Sequence, residues 1–292
     1  MNWILLSILA AGLYTVIYVI DKLMIDNLIK KPSLAAAVSS LSTFAFFIAT
    51  SIIKTDITFD NPKIIVLSLL AGVVNGLTIL LYYYILSKEE MSRFIPVLSL
   101  MPAFVIILSY FILNETFSTI IYVGIFLVII GSILISLKKS DLKIKLNLSF
   151  LLAILTAMGF AVKNVLIKLG SQSIDVHEVN YWLGIGAGLM FFIFLTKGWD
   201  KNKKIIKAST ILFFVDLISA GTFYVLAIAL SHGPASLVSS MIQLKLVFTF
   251  IVAIIFSVFF PKILKEKLSK FIIIQKTFAI IIIIFGALLI IN

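Results

Sequence analysis

The chain contains no cysteine. That excludes disulfides, thiol nucleophiles and cysteine-ligated metal sites. Charge is scarce as well. Only 13% of the 292 residues are Asp, Glu, Lys or Arg, about half the share of a soluble domain. Acidic charge is scarcer still, with 13 carboxylates against 24 basic residues. The two histidines, His177 and His232, fall in separate loops without metal-ligand spacing. No phosphate-binding glycine loop is present, so the chain has no means of its own for ATP-driven work. We therefore expect no enzyme activity and no cofactor.

What fills the sequence is apolar. Hydrophobic residues make up 62% of it, well beyond the ~45–50% of soluble proteins. A bilayer core needs ~20 apolar residues of helix. Ten such runs are present: 3–20, 34–53, 64–86, 92–113, 117–137, 148–168, 178–196, 208–230, 235–260 and 268–291. They are continuously apolar rather than alternating, which reads as helix and not as membrane barrel. The gaps between them reach about a dozen residues, too few for a soluble domain of ~50 residues. Any activity must sit within the bundle. The first run is read as a span and not a leader, because Met1-Asn2-Trp3 carries no basic residue ahead of it.

The chain repeats itself. Shifting Leu5–Lys22 by 146 residues lays it on Leu151–Lys168 with eight identities in 18 pairs, including the terminal Lys22/Lys168. The fifth and tenth runs also end alike, in Gly131-Ser-Ile-Leu-Ile and Gly286-Ala-Leu-Leu-Ile. The expected units are residues 1–140 and 146–292. Five spans per unit is an odd number, so the second unit enters the membrane from the opposite side. The expected fold is an all-α membrane protein of ten transmembrane helices in two inverted five-helix repeats. Secondary transporters are often built this way, with a midplane site and alternating access.

The stretch from Ser92 to Leu134 carries a further signature. A short polar turn leads into a span with Pro96 and Pro102; Asn114-Glu115 follows, then a span with Gly124 and Gly131. With the 5+5 layout, this resembles the EamA family of the drug/metabolite transporter superfamily. The family pattern has Gly-Glu where this chain has Asn114-Glu115. Glu266 is the matching acid of the second half, and Lys245 stands where the family often has a proline. The resemblance implies a transporter of metabolites, with amino acids among the family's substrates. It also implies both termini inside the cell.

The basic residues point the other way. Counting Arg93, Lys168 and Lys270 at the span ends with the gaps they adjoin, 18 of the 24 lie in the odd-numbered gaps, three in the even-numbered gaps and three within spans. Basic loops stay cytoplasmic, which would put both termini outside. Either arrangement makes the +11 charge a topology signal and a contact for anionic lipid. It does not make a nucleic-acid groove. The expected location is the plasma membrane.

Ionisable groups at bilayer depth cost at least ~2.5–3.5 kcal/mol on insertion scales, so each calls for a reason. Asp216 and Lys245 are the most central. They fall at comparable depth on spans eight and nine, joined by Ser231-His232-Gly233-Pro234. The pair is either a substrate or proton site, or a structural lock between neighbouring helices. Lys163-Asn164 on span six either faces a cavity, favouring an anionic or carboxylate-bearing substrate, or snorkels to the membrane edge. Tyr14 and Tyr18 share one face of span one. Asn75 sits on span three between Gly72 and Gly76, a spacing that lets helices approach closely. The candidate substrate-binding set is Lys163, Asn164, Asp216, Lys245, Tyr14, Tyr18 and Asn75. Tyr82-Tyr83-Tyr84, near a span end, read as an interfacial belt. Glu115 reads as a cap on the helix it precedes, and Lys276 as a snorkelling lysine. The expected partners are a small-molecule substrate, the bilayer, and a proton or counter-substrate. The readings kept open beside this are an exporter of lipophilic cations and a non-transporting scaffold or sensor.

Overall fold

The computed structural model describes residues 2–27, 31–54, 56–88, 91–136, 148–198, 203–259 and 270–291, and every regular element in them is helical. The first repeat comprises α1 (Trp3–Asn27), α2 (Pro32–Lys54), α3 (Pro62–Leu86), α4 (Met91–Leu98), α5 (Met101–Leu113) and α6 (Thr119–Ser136). The second comprises α7 (Leu148–Ser171), α8 (Val176–Gly198), α9 (Lys203–His232), α10 (Ala235–Met241), α11 (Leu244–Phe259) and α12 (Lys270–Ile291). Among the described residues nine stretches are long and apolar enough to cross a bilayer, and Trp3–Ile17 of α1 is a shorter tenth. The protein is thus a ten-span, two-repeat membrane protein.

Two expected spans are broken, at matching places in the two repeats. Span four divides into α4 and α5, and span nine into α10 and α11. At the first break Leu100 N bonds Val97 O and Ala103 N bonds Leu100 O. At the second, Gln243 N bonds Ser240 O and Lys245 N bonds Ile242 O. Both are single tight turns of i→i−3 bonding, which redirect a helix without exposing its polar backbone. Pro102 explains the first, since it sits in the opening turn of α5 where a missing N–H costs nothing. The second has no proline.

The repeats interlock. α2 packs on its equivalent α8, and α6 on its equivalent α12. α3 packs on α7 and α8, as α9 packs on α1 and α2. Each such contact is mirrored by its counterpart under exchange of repeats. Glycine makes two of these crossings close. A Cβ on Gly72 would collide with the backbone of Leu183 and one on Gly186 with that of Leu69, so α3 and α8 touch main chain to main chain. A Cβ on Gly124 would sit 2.8 Å from Gly286 O, and one on Gly286 2.6 Å from Gly124 O. One expected neighbour pair does not run side by side. Beyond the turn at His232–Pro234, α1 packs on both α9 and α11. The short turn fixes only where α10 starts, and the break then directs α11 along α1.

Candidate functional site

Five helices line a cavity of about 110 Å³. α1 supplies Tyr14 and Ile17, and α2 supplies Ser39 and Thr43. α3 gives Asn75, Ile79, Tyr82 and Tyr83; α7 gives Phe160 and Lys163; α9 gives Asp216, Ser219, Ala220 and Phe223. A single water needs roughly 10–15 Å³ by this kind of measure, so a small solute fits. Each of the five helices contributes lining residues from its middle, and α3 extends the lining to Tyr82 and Tyr83 near its end.

Two ionisable groups face this space. Lys163 is 4% exposed and Asp216 3% exposed. Lys163 therefore points inward and does not snorkel. Its Nζ lies 3.9 Å from the centroid of the Phe223 ring and 5.1 Å from that of Phe160. Each such contact is worth on the order of 2 kcal/mol when desolvated, which helps hold an ammonium at this depth. Asn75 is buried, and its Nδ2 has no hydrogen-bond partner among the described residues. A buried amide left unbonded costs about 1–3 kcal/mol, and this one lines the cavity.

The candidate set divides. Tyr14, Asn75, Lys163 and Asp216 come together on the cavity. Lys245 is not among the lining residues; its Nζ lies 5.5 Å from the centroid of the Tyr14 ring, while its carbonyl accepts from Thr15 Oγ at 3.1 Å. Asn164 is not among the lining residues. Its Nδ2 donates to Ser239 Oγ at 3.2 Å and approaches Met101 Sδ at 4.0 Å, so it ties α7 to both broken spans. The neighbours Lys163 and Asn164 differ by 100° around the helix, which is why only one faces the space. The side chain of Tyr18 lies outside the described residues, as does Glu266.

Other sequence expectations need correcting. Tyr82 and Tyr83 are cavity wall rather than belt, and only Tyr84, 40% exposed, faces outward. Helical rotation separates them, and position near a span end did not show it. His177 lies in the first turn of α8 and His232 at the end of α9, not in loops. His177 Nδ1 lies 2.7 Å from Tyr224 Oη. Lys276 holds its Nζ 4.7 Å from the Phe250 ring centroid, on α11. Glu115 caps a different helix from the one expected. Its Oε1 accepts from Ala235 N at 2.6 Å, and its Oε2 from Ser236 N at 3.1 Å and Ser236 Oγ at 2.6 Å. Ser39, Thr43, Ser219, Phe160 and Phe223 went unremarked in the sequence. The clustered hydroxyls of Ser39-Ser40 and Ser42-Thr43 were the available signal for the first two.

Ten spans in two inverted fives, around a mid-membrane cavity lined by both halves, define an inverted-repeat membrane carrier. The EamA-like transporter family model matches residues 1–137 and again 147–292. The chain belongs to that family, and is a membrane transporter of the drug/metabolite type. An uncharacterized protein of Methanocaldococcus jannaschii is 34% identical over 84 residues, which is 29% of this chain and 61% of that protein. The chain thus matches less than two thirds of that relative's length. A crystal structure at 14% identity superposes with a TM-score of 0.69, covering 99% of this chain and 98% of the other. That likeness is one of fold.

Proposed function

We propose that the protein is a secondary transporter of a small polar metabolite bearing a carboxylate, an amino acid or an organic anion, and that it works by alternating access. The observation that carries this reading is Lys163, a buried lysine on the wall of the cavity between the repeats. An ammonium in low dielectric attracts a carboxylate far more strongly than the same group in water. Asp216 on the same cavity suits the ammonium of a zwitterion, or a proton carried with the substrate. Asn75 Nδ2 offers a hydrogen bond. Lys245, beside Tyr14, would act on the substrate only through that wall residue, and Asn164 would act by holding α7 to the broken spans. Substrate exchange or an ion gradient supplies the energy.

By the basic-residue bias, the odd-numbered gaps face the cytoplasm and both termini face outward, in the plasma membrane. A reporter fused after Asn292 checks the orientation, and a cytoplasmic signal reverses it. Counterflow in proteoliposomes checks the substrate. Amino acids and carboxylates should exchange, and lipophilic cations should not. Preferential exchange of lipophilic cations would replace this reading with that of a multidrug exporter. Folded protein with no flux for either class would defeat the substrate assignment.

A further inference from the structure

With ten crossings, one membrane face carries the start of α1, the α2–α3, α5–α6, α7–α8 and α9–α10 connections, and the end of α12. We call it the N face. Three polar ties gather there. Glu115, from the α5–α6 connection, is held by Ala235 N, Ser236 N and Ser236 Oγ at the start of α10. Glu178, at the start of α8, accepts from Thr58 N at 3.2 Å and Thr58 Oγ at 3.0 Å. Lys168 Nζ donates to Ser231 O at 3.4 Å. Two of the three join one repeat to the other. Trp3 packs so tightly on Gly233 that a Cβ there would sit 2.6 Å from the indole.

Behind these ties lies an apolar plug that includes Leu6, Ala10, Val179, Leu230, Val238 and Ile242. The cavity begins deeper. Its lining residues lie roughly 12 to 32 Å from the N-face ends of their helices at 1.5 Å per residue. Lys163 is nearest that face and Tyr83 farthest from it. The cavity is therefore sealed toward the N face and extends toward the other.

We propose that Glu115 is a positioning residue of transport, whose carboxylate clamps α10 to the α5–α6 connection and holds the N-face seal shut, and that its release opens the cavity to that face. The chemistry suits a clamp. Three donors converge on one carboxylate, and charge-assisted bonds of this kind are about twice as strong as neutral ones. The clamp is made from opposite repeats, the two bodies that must rock apart. It holds a short helix that ends at a break, so losing it frees α10 to swing about residues 242 and 243. Removing the clamp should shift the population toward N-face opening without altering the cavity.

The absence of cysteine makes the test clean. A Thr43→Cys variant places one thiol on the cavity, and a membrane-impermeant charged thiol reagent is applied from each face in turn. With Glu115 intact, labelling should be slow from the N face and fast from the other. Glu115→Ala should raise the N-face rate by about tenfold or more and lower the rate from the other face, as a shift between two states requires. Ser236→Ala, which leaves both amides in place, should give an intermediate rise. General loosening would instead raise both rates. An unchanged N-face rate in Glu115→Ala, a rise from both faces, or fast N-face labelling with Glu115 intact would each overturn the proposal. If Glu115→Ala does not accumulate, Glu115→Gln carries the same test, with a rise of about threefold or more expected and no rise overturning it. No transport substrate enters the assay, so its outcome is independent of the substrate assignment.

Discussion

In α1 and α3 the cavity positions hold Tyr14, Ile17, Asn75, Ile79 and Tyr82; at the corresponding positions of α7 and α9 stand Phe160, Lys163, Asp216, Ala220 and Phe223. The spacing is the same in both repeats, i and i+3 on the first helix of each pair and i, i+4 and i+7 on the second. Each repeat thus turns the same helical faces to the same space. The scaffold keeps its symmetry, while the charge does not. Tyrosine, isoleucine and asparagine in the first repeat face phenylalanine, lysine and aspartate in the second. One half anchors ionic groups, and the other shapes the space and supplies neutral hydrogen bonds. Under the proposed function, a substrate would be held by charge on one repeat and by fit on the other.

The sharpest way to break this comparison is to remove the cation and its neutral counterpart separately. Truncating one partner of a buried ionic contact costs about 2–5 kcal/mol. Lys163→Met should therefore lower kcat/KM in counterflow by about 100-fold or more. Ile17→Val at the matching position trims a single methyl of apolar fit and should cost about tenfold. Comparable losses from the two would mean that charge does not divide the repeats.

Asp216 comes next. Asp216→Asn keeps the shape and deletes the charge, and a loss of about 10- to 100-fold is expected. The double variant with Lys245→Met separates a working carboxylate from a structural pair. Transport restored in the double variant, with normal accumulation, would make the aspartate a lock rather than part of the site.

How much of this was legible in the sequence depends on what each residue's role rests on. The ten spans and their twofold arrangement follow from apolar run length and an odd count per repeat, both of which are local. Lys163 and Asp216 stood out because buried charge is costly wherever it occurs. Asn164 and Tyr82 did not sort correctly, because their roles depend on helix rotation, which uniformly apolar flanks leave undetermined. The break between α10 and α11 was also hidden. Its partner break announces itself with Pro102, but Leu-Val-Ser-Ser-Met-Ile-Gln carries no helix-breaking residue. Glu115 read correctly as a cap, and only the fold could say that the helix it caps lies 120 residues away.

The first repeat's share should appear in its hydroxyls. Tyr82→Phe removes one polar group from the cavity wall, and a loss of several-fold in kcat/KM is expected, on the order of 1 kcal/mol. Tyr84→Phe, on the outward-facing neighbour, should leave transport unchanged in the same assay. Equal effects would return the tyrosines to an interfacial belt.

The smallest effect expected is also the most diagnostic of how the repeats are joined. Asn114 has φ 54° and ψ 33°, the only positive φ at a non-glycine residue among those described. It ends α5, and both its own N–H and that of Glu115, the latter at 3.1 Å, bond back to Ser109 O as the chain leaves the helix through a left-handed cap. Glycine and asparagine are the residues that tolerate this conformation. That accounts for Asn-Glu here where the family resemblance has Gly-Glu. The turn is what carries Glu115 out of the helix line toward α10. Asn114→Gly keeps the turn, and its relief of strain is offset by greater unfolded-state freedom, so stability should change by about 0.5 kcal/mol or less. Asn114→Val cannot hold the turn without a cost of roughly 1–2 kcal/mol, and relaxing it would draw the carboxylate off Ser236. N-face labelling of Thr43→Cys should then rise with Asn114→Val and stay flat with Asn114→Gly. A rise in both would show that the clamp depends on the asparagine side chain and not on the left-handed turn.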